Sequence, residues 1–223
     1  LSTSGTATEG TDYTDGSGDI DDIVISAGST TGTVSFTPTD DSIYDATSNE
    51  TATIDISGVS GGSATEDGTQ NVTITITDNE SAPTVTLSRG AAAIDEDSSG
   101  TVTITATLSN ATYQDVTVTI DGTGGTGTEG TDFATVSDIT ISAGSTTGTA
   151  AVDPTNDTVY EGDETAGISI SGVSGGSASE SGSQSVTVTI TEDESAPTVT
   201  LTVSATSIAE NAGTSLTLTA TLS

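Results

Sequence analysis

The chain of 223 residues repeats itself along its length, with an offset that falls from 120 to 114 residues. The segment TEGTDY at 8–13 returns as TEGTDF at 128–133, and TITDNESAPTVTLS at 75–88 returns as TITEDESAPTVTLT at 189–202. The matching segments keep the same order in both copies. Such a period predicts one structural unit used more than once.

The repeat divides the chain into three parts. One complete copy spans 83–196, residues 1–82 match the latter part of a preceding copy, and residues 197–223 match the first two strands of a following one. This division predicts an excerpt from a longer tandem array. The alternative is strand exchange, in which residues 197–223 of one molecule complete residues 1–82 of another.

Apolar residues alternate with Thr along several segments, as in Val102-Thr-Ile-Thr. Alternation with period two is typical of half-buried strands, and it argues against the disorder that high charge and few aromatics can indicate. The sequence therefore predicts an all-β protein of tandem seven-strand antiparallel Ig-like β-sandwiches. In the complete copy the predicted strands are 84–88, 101–108, 115–121, 138–142, 148–152, 166–171 and 185–191.

The same alternation predicts which side chains form the core of the complete copy. The inward candidates are sixteen aliphatic residues: Val85, Leu87, Val102, Ile104, Leu108, Val116, Val118, Ile120, Ile139, Ile141, Val152, Ile168, Ile170, Val186, Val188 and Ile190. A core of this size with almost no aromatic residues is thin, so stabilisation from outside the core is expected.

Charge restricts the partners of the chain. There are 33 acidic residues against one cationic residue, Arg89, and the formal net charge is −32. Nucleic acids and anionic membrane surfaces are therefore excluded as partners, because both need clustered Lys and Arg. No apolar run approaches the length of a membrane span, so no membrane insertion is expected in this segment.

The acidic residues of the complete copy concentrate at one predicted end of the sandwich. If successive strands alternate in direction, twelve of its seventeen acids fall in the loops of one pole. Two carboxylates ~5 Å apart repel each other by roughly 3 kcal/mol at an effective dielectric constant near 20. Hard oxygen ligands without Cys or His favour Ca²⁺ as the ion that would hold them. The alternative is that solvated loops simply carry charge.

The chain resembles the Calx-β repeat family in several motifs that recur in order. These are GTATEGTDY at 5–13, DDSIYD at 40–45, NDTVYEGDET at 156–165, the ITDNESAPTVTLS junction and SIAENAG at 207–213. The resemblance implies a seven-strand sandwich with calcium ligands at one end. The implied ligands are Asp12, Asp40, Asp41, Asp45, Glu50, Asp78, Asn79, Glu80, Glu96, Asp132, Asn156, Asp157, Glu161, Glu164, Glu192, Asp193 and Glu194, with Glu210 in the following copy.

The acidic insertion at 15–22 of the first copy has two interpretations. It is either an additional calcium loop or a solvated loop.

These observations predict a calcium-stiffened structural or adhesive repeat of a long secreted or cell-surface protein, a stalk or filament. Its expected partners are neighbouring repeats, with other copies by strand exchange as the alternative. A calcium-sensing regulatory module, as in sodium–calcium exchangers, is the second hypothesis. A cadherin-like module, suggested by the DNESAP linker, and an ice-binding Thr array are the others. Without His, Cys or Lys to activate a nucleophile, no enzyme activity is predicted.

Overall fold

A computed structural model describes residues 1–45, 49–211 and 213–223. Its regular elements are strands, and none of the described residues forms a helix long and apolar enough to cross a membrane. In chain order the strands are β1 Ser2–Gly5, β2 Tyr13–Thr14, β3 Thr37–Pro38, β4 Ile43–Tyr44, β5 Glu50–Asp55, β6 Asn71–Ile76, β7 Thr84–Arg89, β8 Ala93–Asp95, β9 Val102–Leu108, β10 Ala111–Thr112, β11 Val116–Gly125, β12 Ile139–Ile141, β13 Thr147–Val152, β14 Glu164–Ser174, β15 Ser179–Glu180, β16 Ser185–Thr191, β17 Val199–Val203 and β18 Leu218–Leu222.

The complete copy is a sandwich of two sheets. One sheet has the order β12-β11-β14-β16-β8 and the other the order β13-β9-β7-β15. All seven predicted strands are present, and the ladders between them are antiparallel, which confirms the all-β sandwich.

The short strands β8 and β15 were not predicted, and both pair in parallel, with β16 and β7 respectively. The chain crosses between the sheets after β7, so β8 lies beside the last strand of the other sheet and runs in the same direction.

The core of the complete copy lies between the two sheets. Of the sixteen predicted inward side chains, twelve are buried, and Leu87, Ile120, Ile170 and Val186 are half-buried against them. Phe133 is also fully buried, although it lies outside any alternating segment. It enters the core from the turn between β11 and β12, where side chains do not alternate between two faces, so the alternation cannot predict it.

Residues 1–82 contain the sheet β1-β5-β6 and the pair β2-β3. Tyr13, the counterpart of Phe133, is 1% exposed and stacks on Phe36 with ring centroids 4.6 Å apart. Residues 23–25 match β12 of the complete copy, but here they lie outside the strands and are exposed. The strands β17 and β18 form a separate antiparallel hairpin. The repeat boundaries at 82/83 and 196/197 stay predictions.

Candidate metal centre

The loops at one end of the complete copy bring together seven of the predicted ligands. Glu96 follows β8, Asp132 lies in the turn after β11, Glu161 and Glu164 precede and begin β14, and residues 192–194 follow β16. The described acids form two groups, within each of which one carboxylate oxygen per residue lies within 4.8 Å of the others: Glu96, Glu192, Asp193 and Glu194 in one, and Asp132, Glu161 and Glu164 in the other.

We call the first of these groups the junction cluster, since it follows the last strand of the copy. The backbone N–H of Gly162 donates to Glu192 Oε2 at 2.6 Å, and the N–H of Glu194 donates to Glu192 Oε1 at 3.2 Å. Glu192 is therefore held by main-chain donors on both oxygens. The N–H of Asp157 donates to Glu96 Oε1 at 3.2 Å, which ties the 156–161 loop to the same cluster.

We call the second group the turn cluster. Its Asp132 accepts a hydrogen bond from the N–H of Thr128 at 2.6 Å through Oδ2, so the turn positions this carboxylate. The adjacent Phe133 is fully buried and anchors the turn to the core. Glu164 lies at the start of β14, which also forms part of the core. The cluster is thus built on rigid elements.

Three carboxyls of these clusters have pKa values shifted from the ordinary value of 4.5. Burial, followed by the charge of Asp132, raises the pKa of Glu164 to about 7. A hydrogen bond with Glu192, together with burial, raises the pKa of Glu194 to about 7. Main-chain hydrogen bonds, that from Glu161 first, lower the pKa of Glu192 to about 2. Glu164 and Glu194 therefore bind protons more readily than an ordinary glutamate when no cation neutralises them.

One oxygen of the junction cluster lacks a hydrogen-bond partner. Oε2 of Glu194 is inaccessible to solvent and accepts no hydrogen bond from the described residues. A buried carboxylate oxygen without a partner costs free energy, unless a proton or a cation supplies the missing interaction. The clusters offer only carboxylate oxygens, which suits Ca²⁺ better than zinc or copper. The residues present therefore fit a calcium ion.

The first copy has a matching acidic pocket, with an aromatic residue from the next copy at its edge. Its lining includes all eight ligands predicted there and Tyr113: Asp12, Asp40, Asp41, Asp45, Glu50, Asp78, Asn79, Glu80 and Tyr113. The N–H of Thr8 donates to Asp12 Oδ2 at 2.6 Å, as Thr128 does to Asp132. Burial, followed by the charges of Asp12 and Asp45, raises the pKa of Glu50.

Some predicted positions lie outside these groups. The backbone N–H of Asp157 contacts the junction cluster at Glu96, while the carboxylate of Asp157 is not part of that cluster, and Asn156 is exposed. Glu210 is exposed and is not a member of either group of described acids. In the insertion at 15–22, Oδ1 of Asp15 accepts hydrogen bonds from the N–H and hydroxyl of Ser17, which favours a self-capped loop.

Two residues at these sites were missed. Asp163 accepts the N–H of Glu192 at 3.1 Å and so helps to position it. Tyr113 reaches the pocket of the first copy from the loop after β9 of the next one. Asp163 lies within the acidic motif at 156–165 but was not among the predicted ligands, whereas the only signal for Tyr113 was an aromatic residue in an otherwise polar loop.

Two family models match different parts of the chain. The family model described as LapA domain matches residues 81–194, and the model described as Calx-beta domain matches residues 1–80. A solved structure, "Crystal structure of Apo-form Calx CBD1 domain", is 19% identical over 49% of this chain and 98% of that chain, with a TM-score of 0.41. Curated proteins gave no match. The match of the Calx-beta domain model confirms the suspected Calx-β relationship for residues 1–80, and the chain belongs to the LapA domain family, whose model matches residues 81–194.

Proposed function

We propose that the chain is a calcium-stiffened structural repeat segment of a long extracellular surface protein, a stalk or filament. The observation that carries the proposal is the junction cluster, where Glu96, Glu192, Asp193 and Glu194 converge directly after the last strand of the copy. No lysine or histidine exists in the chain to neutralise these charges. A divalent cation would do so, and it would also supply the interaction that Glu194 Oε2 lacks.

An ion in the acidic pocket of the first copy would stiffen the connection between the two copies, because this pocket lies where one copy leads into the next. In the first copy the acidic pocket includes residues 78–80, which lead into the next copy, and Tyr113, which belongs to it. An ion that binds Asp78 and Glu80 together with Asp12 or Glu50 would fix the chain as it leaves the first copy. Part of the binding free energy would then stabilise one angle between successive copies. We expect a non-catalytic rod whose stiffness depends on calcium.

Calcium binding is tested by calorimetric titration of the chelator-treated protein. We expect Glu194→Gln to weaken binding at the junction cluster by at least about tenfold, because a charged ligand is lost. The matched control is Asp67→Asn, which removes the same charge from an exposed loop outside both clusters. Small-angle scattering of the native chain, with calcium and with chelator, then measures stiffening. Equal profiles in the two conditions would refute the stalk.

The second candidate is a calcium-sensing module, because Tyr113 in the first pocket would let ion binding alter the geometry between copies. The two functions differ in the concentration of calcium that they require. A sensor responds at about 10⁻⁷–10⁻⁵ M calcium, whereas extracellular modules saturate at about 10⁻⁴–10⁻³ M. The same titration therefore separates them.

We propose neighbouring repeats as the partners of this segment, with strand exchange between copies as the alternative. In the hairpin β17–β18, three apolar side chains are mostly exposed: the exposed fractions are 68% for Val199, 70% for Leu201 and 68% for Leu218. These residues match Val85, Leu87 and Ile104, which face the core in the complete copy. An apolar groove on residues 1–82, lined by Ile54, Ile74, Phe36 and their neighbours, has the complementary chemistry.

A further inference from the structure

Contact between the first and second copies centres on a short parallel bridge. Ala111 and Thr112 of β10 pair with Ile43 and Tyr44 of β4. Ala111 is 8% exposed and Thr112 1% exposed. The N–H of Tyr113 donates to the carbonyl oxygen of Tyr44 at 3.4 Å, and the Tyr113 hydroxyl donates to Asp41 Oδ2 at 2.7 Å. The loop after β9 thus docks on the pole of the preceding copy through both backbone and side chain.

The surface that receives this loop is present a second time. Residues 156–161 of the complete copy match 40–45 in sequence. Both segments form the same turn: the N–H of Ile43 donates to Asp41 Oδ1 at 2.7 Å, and the N–H of Val159 donates to Asp157 Oδ1 at 2.6 Å. Asp157 therefore holds Val159 as Asp41 holds Ile43.

The two surfaces differ in what covers them. Ile43 and Tyr44 are half-buried under β10, whereas Val159 is 57% exposed and Tyr160 is 45% exposed. In the described chain, Val159 and Tyr160 lie outside the strands. An exposed apolar pair outside the described strands suits the addition of a short strand from another segment.

We propose that Val159–Tyr160 is a docking site for the Asn-Ala-Thr-Tyr loop of a further repeat in the same chain. The occupant follows from the first junction, where the loop 110–113 is seated on the matching surface. Residues 197–223 already repeat 83–109, so a repeat continued in register brings the next such loop directly after them. The docking uses apolar and backbone contacts, and it goes beyond the proposed function because it requires no ion.

Engineered disulfides test this docking, because the chain contains no cysteine. The chain is lengthened by a second copy of residues 110–196 placed after Ser223. Val159→Cys is combined with Ala111→Cys in the added copy only. Partners in a parallel bridge lie about 4.8 Å apart, within the range of a disulfide. Ile43→Cys with Ala111→Cys in the native chain is the positive control, and Thr155→Cys with the added cysteine is the mismatched control.

The reaction is followed by mass spectrometry, in chelator and in calcium. We expect the Val159 pair to close at least about tenfold faster than the Thr155 pair in one or both conditions, because docking raises the effective concentration. A Val159 pair that stays open in both, while the Ile43 pair closes, would overturn the docking site. Failure of calcium to bind, with the Val159 pair closed, would instead count against the proposed function alone.

A readout without cysteines keeps the test valid if oxidation disturbs folding. The backbone N–H of the tyrosine in the added loop should donate to the carbonyl oxygen of Tyr160, as the N–H of Tyr113 donates to that of Tyr44. We expect the amide hydrogen of this tyrosine to exchange more slowly than in a lengthened chain that carries Val159→Asp, which disrupts the apolar surface. Equal exchange rates in the two lengthened chains would contradict the docking.

Discussion

The hydroxyl of Tyr113 donates a hydrogen bond to Oδ2 of Asp41, 2.7 Å away, across 72 positions of sequence. Asp41 belongs to the acidic pocket of the first copy, whereas Tyr113 belongs to the complete copy that follows. A phenol is a neutral donor, so it can satisfy a carboxylate without neutralising the pocket. The contact therefore joins the two copies, and Asp41 keeps the negative charge that a cation in the pocket would bind.

The first prediction uses the acidity of Tyr113. The hydrogen bond to Asp41, followed by burial, raises the pKa of Tyr113 to about 12, from an ordinary value of 10.0. Because the folded pKa is raised, the contribution to stability is present below pH 10 and is lost as the pH rises through about 12. We expect Asp41→Asn to lower the pKa of one tyrosine towards 10. The titration of the tyrosines is measured by ultraviolet absorbance. The control Asp67→Asn should leave the titration unchanged, and a shift in both variants would contradict the assignment.

The second prediction concerns Gly125, at the end of β11 where the chain turns towards Asp132. Its φ is +104°, and a Cβ there would lie 2.1 Å from the carbonyl oxygen of Thr165. Gly5, its counterpart in the first copy, shows the same conflict with Thr51 at 2.0 Å. We expect Gly125→Ala to destabilise the protein by more than about 1 kcal/mol, measured by denaturant unfolding.

The control for Gly125 is Gly144→Ala. Gly144 has a φ of +75°, but a Cβ there meets no atom within 4 Å. This variant carries the cost of the left-handed backbone without the clash, so it should destabilise the protein less. Equal losses in the two variants would show that the backbone angle, rather than contact with Thr165, requires glycine at Gly125.

Much of the fold could be predicted because its strands follow one rule. Alternation of apolar residues with Thr locates the long strands, and every residue predicted to face inward is buried or half-buried. The rule fails where side chains enter the core from turns, as at Phe133 and Val136. It also fails at β8 and β15, whose pairing depends on where the chain crosses between sheets rather than on local pattern.

The candidate site was predicted in outline for a different reason. Acids concentrated in alternate loops meet at one pole once the strands run antiparallel, so sequence and topology together bring Glu96 close to Glu192. The grouping into two clusters could not be predicted, because it depends on side-chain direction and on hydrogen bonds such as that from Gly162 to Glu192. Tyr113 was missed because its role depends on the packing of one copy against another.

The third prediction is that Glu164→Gln changes the stability of the protein in opposite directions without and with calcium. One carboxylate oxygen of Glu164 lies within 4.8 Å of one oxygen of Asp132 and one of Glu161. The single cationic side chain of the sequence, Arg89, is not a member of this group. Without calcium, Glu164→Gln removes repulsion and should stabilise the protein by on the order of 1 kcal/mol, a value discounted for partial exposure. With saturating calcium the same variant loses a ligand and should unfold at a lower temperature than the native protein. A variant that shifts the melting temperature in the same direction in both conditions would contradict a cation site at the turn cluster.

The fourth prediction concerns strand exchange. If β18 of one molecule docks on residues 1–82 of another, as β9 pairs with β13 in the complete copy, Thr219 should face Thr33, because Thr105 faces Thr149. We expect the double variant Thr33→Cys/Thr219→Cys to form disulfide-linked oligomers on oxidation. Thr33→Cys/Thr202→Cys, with the second cysteine on the other strand of the hairpin, is the control. Monomers alone, or links within one molecule, would contradict exchange between copies.

The fifth prediction is the pH dependence of stability without calcium. The pKa values of Glu164 and Glu194 are raised to about 7 from an ordinary value of 4.5. Between these values the folded state binds more protons than the unfolded state, so the free energy of unfolding should fall as the pH rises from about 4.5 to 7. The pKa of Glu192 is lowered to about 2, so its contribution is lost only as the pH falls below 4.5 towards 2, outside this interval.

Calcium should remove the decline. The ion competes with the two protons and binds more tightly as they leave, so in calcium the free energy of unfolding should hold steady or rise over the same interval. Denaturant melts at pH 5 and pH 7.5, with calcium and with chelator, measure both slopes. Replacing Glu164 and Glu194 together by Gln should make the decline in chelator shallower, because the two groups with the largest upward shifts are gone. A decline of unchanged slope in this double variant would show that Glu164 and Glu194 do not take up the protons, and it would contradict their raised pKa values.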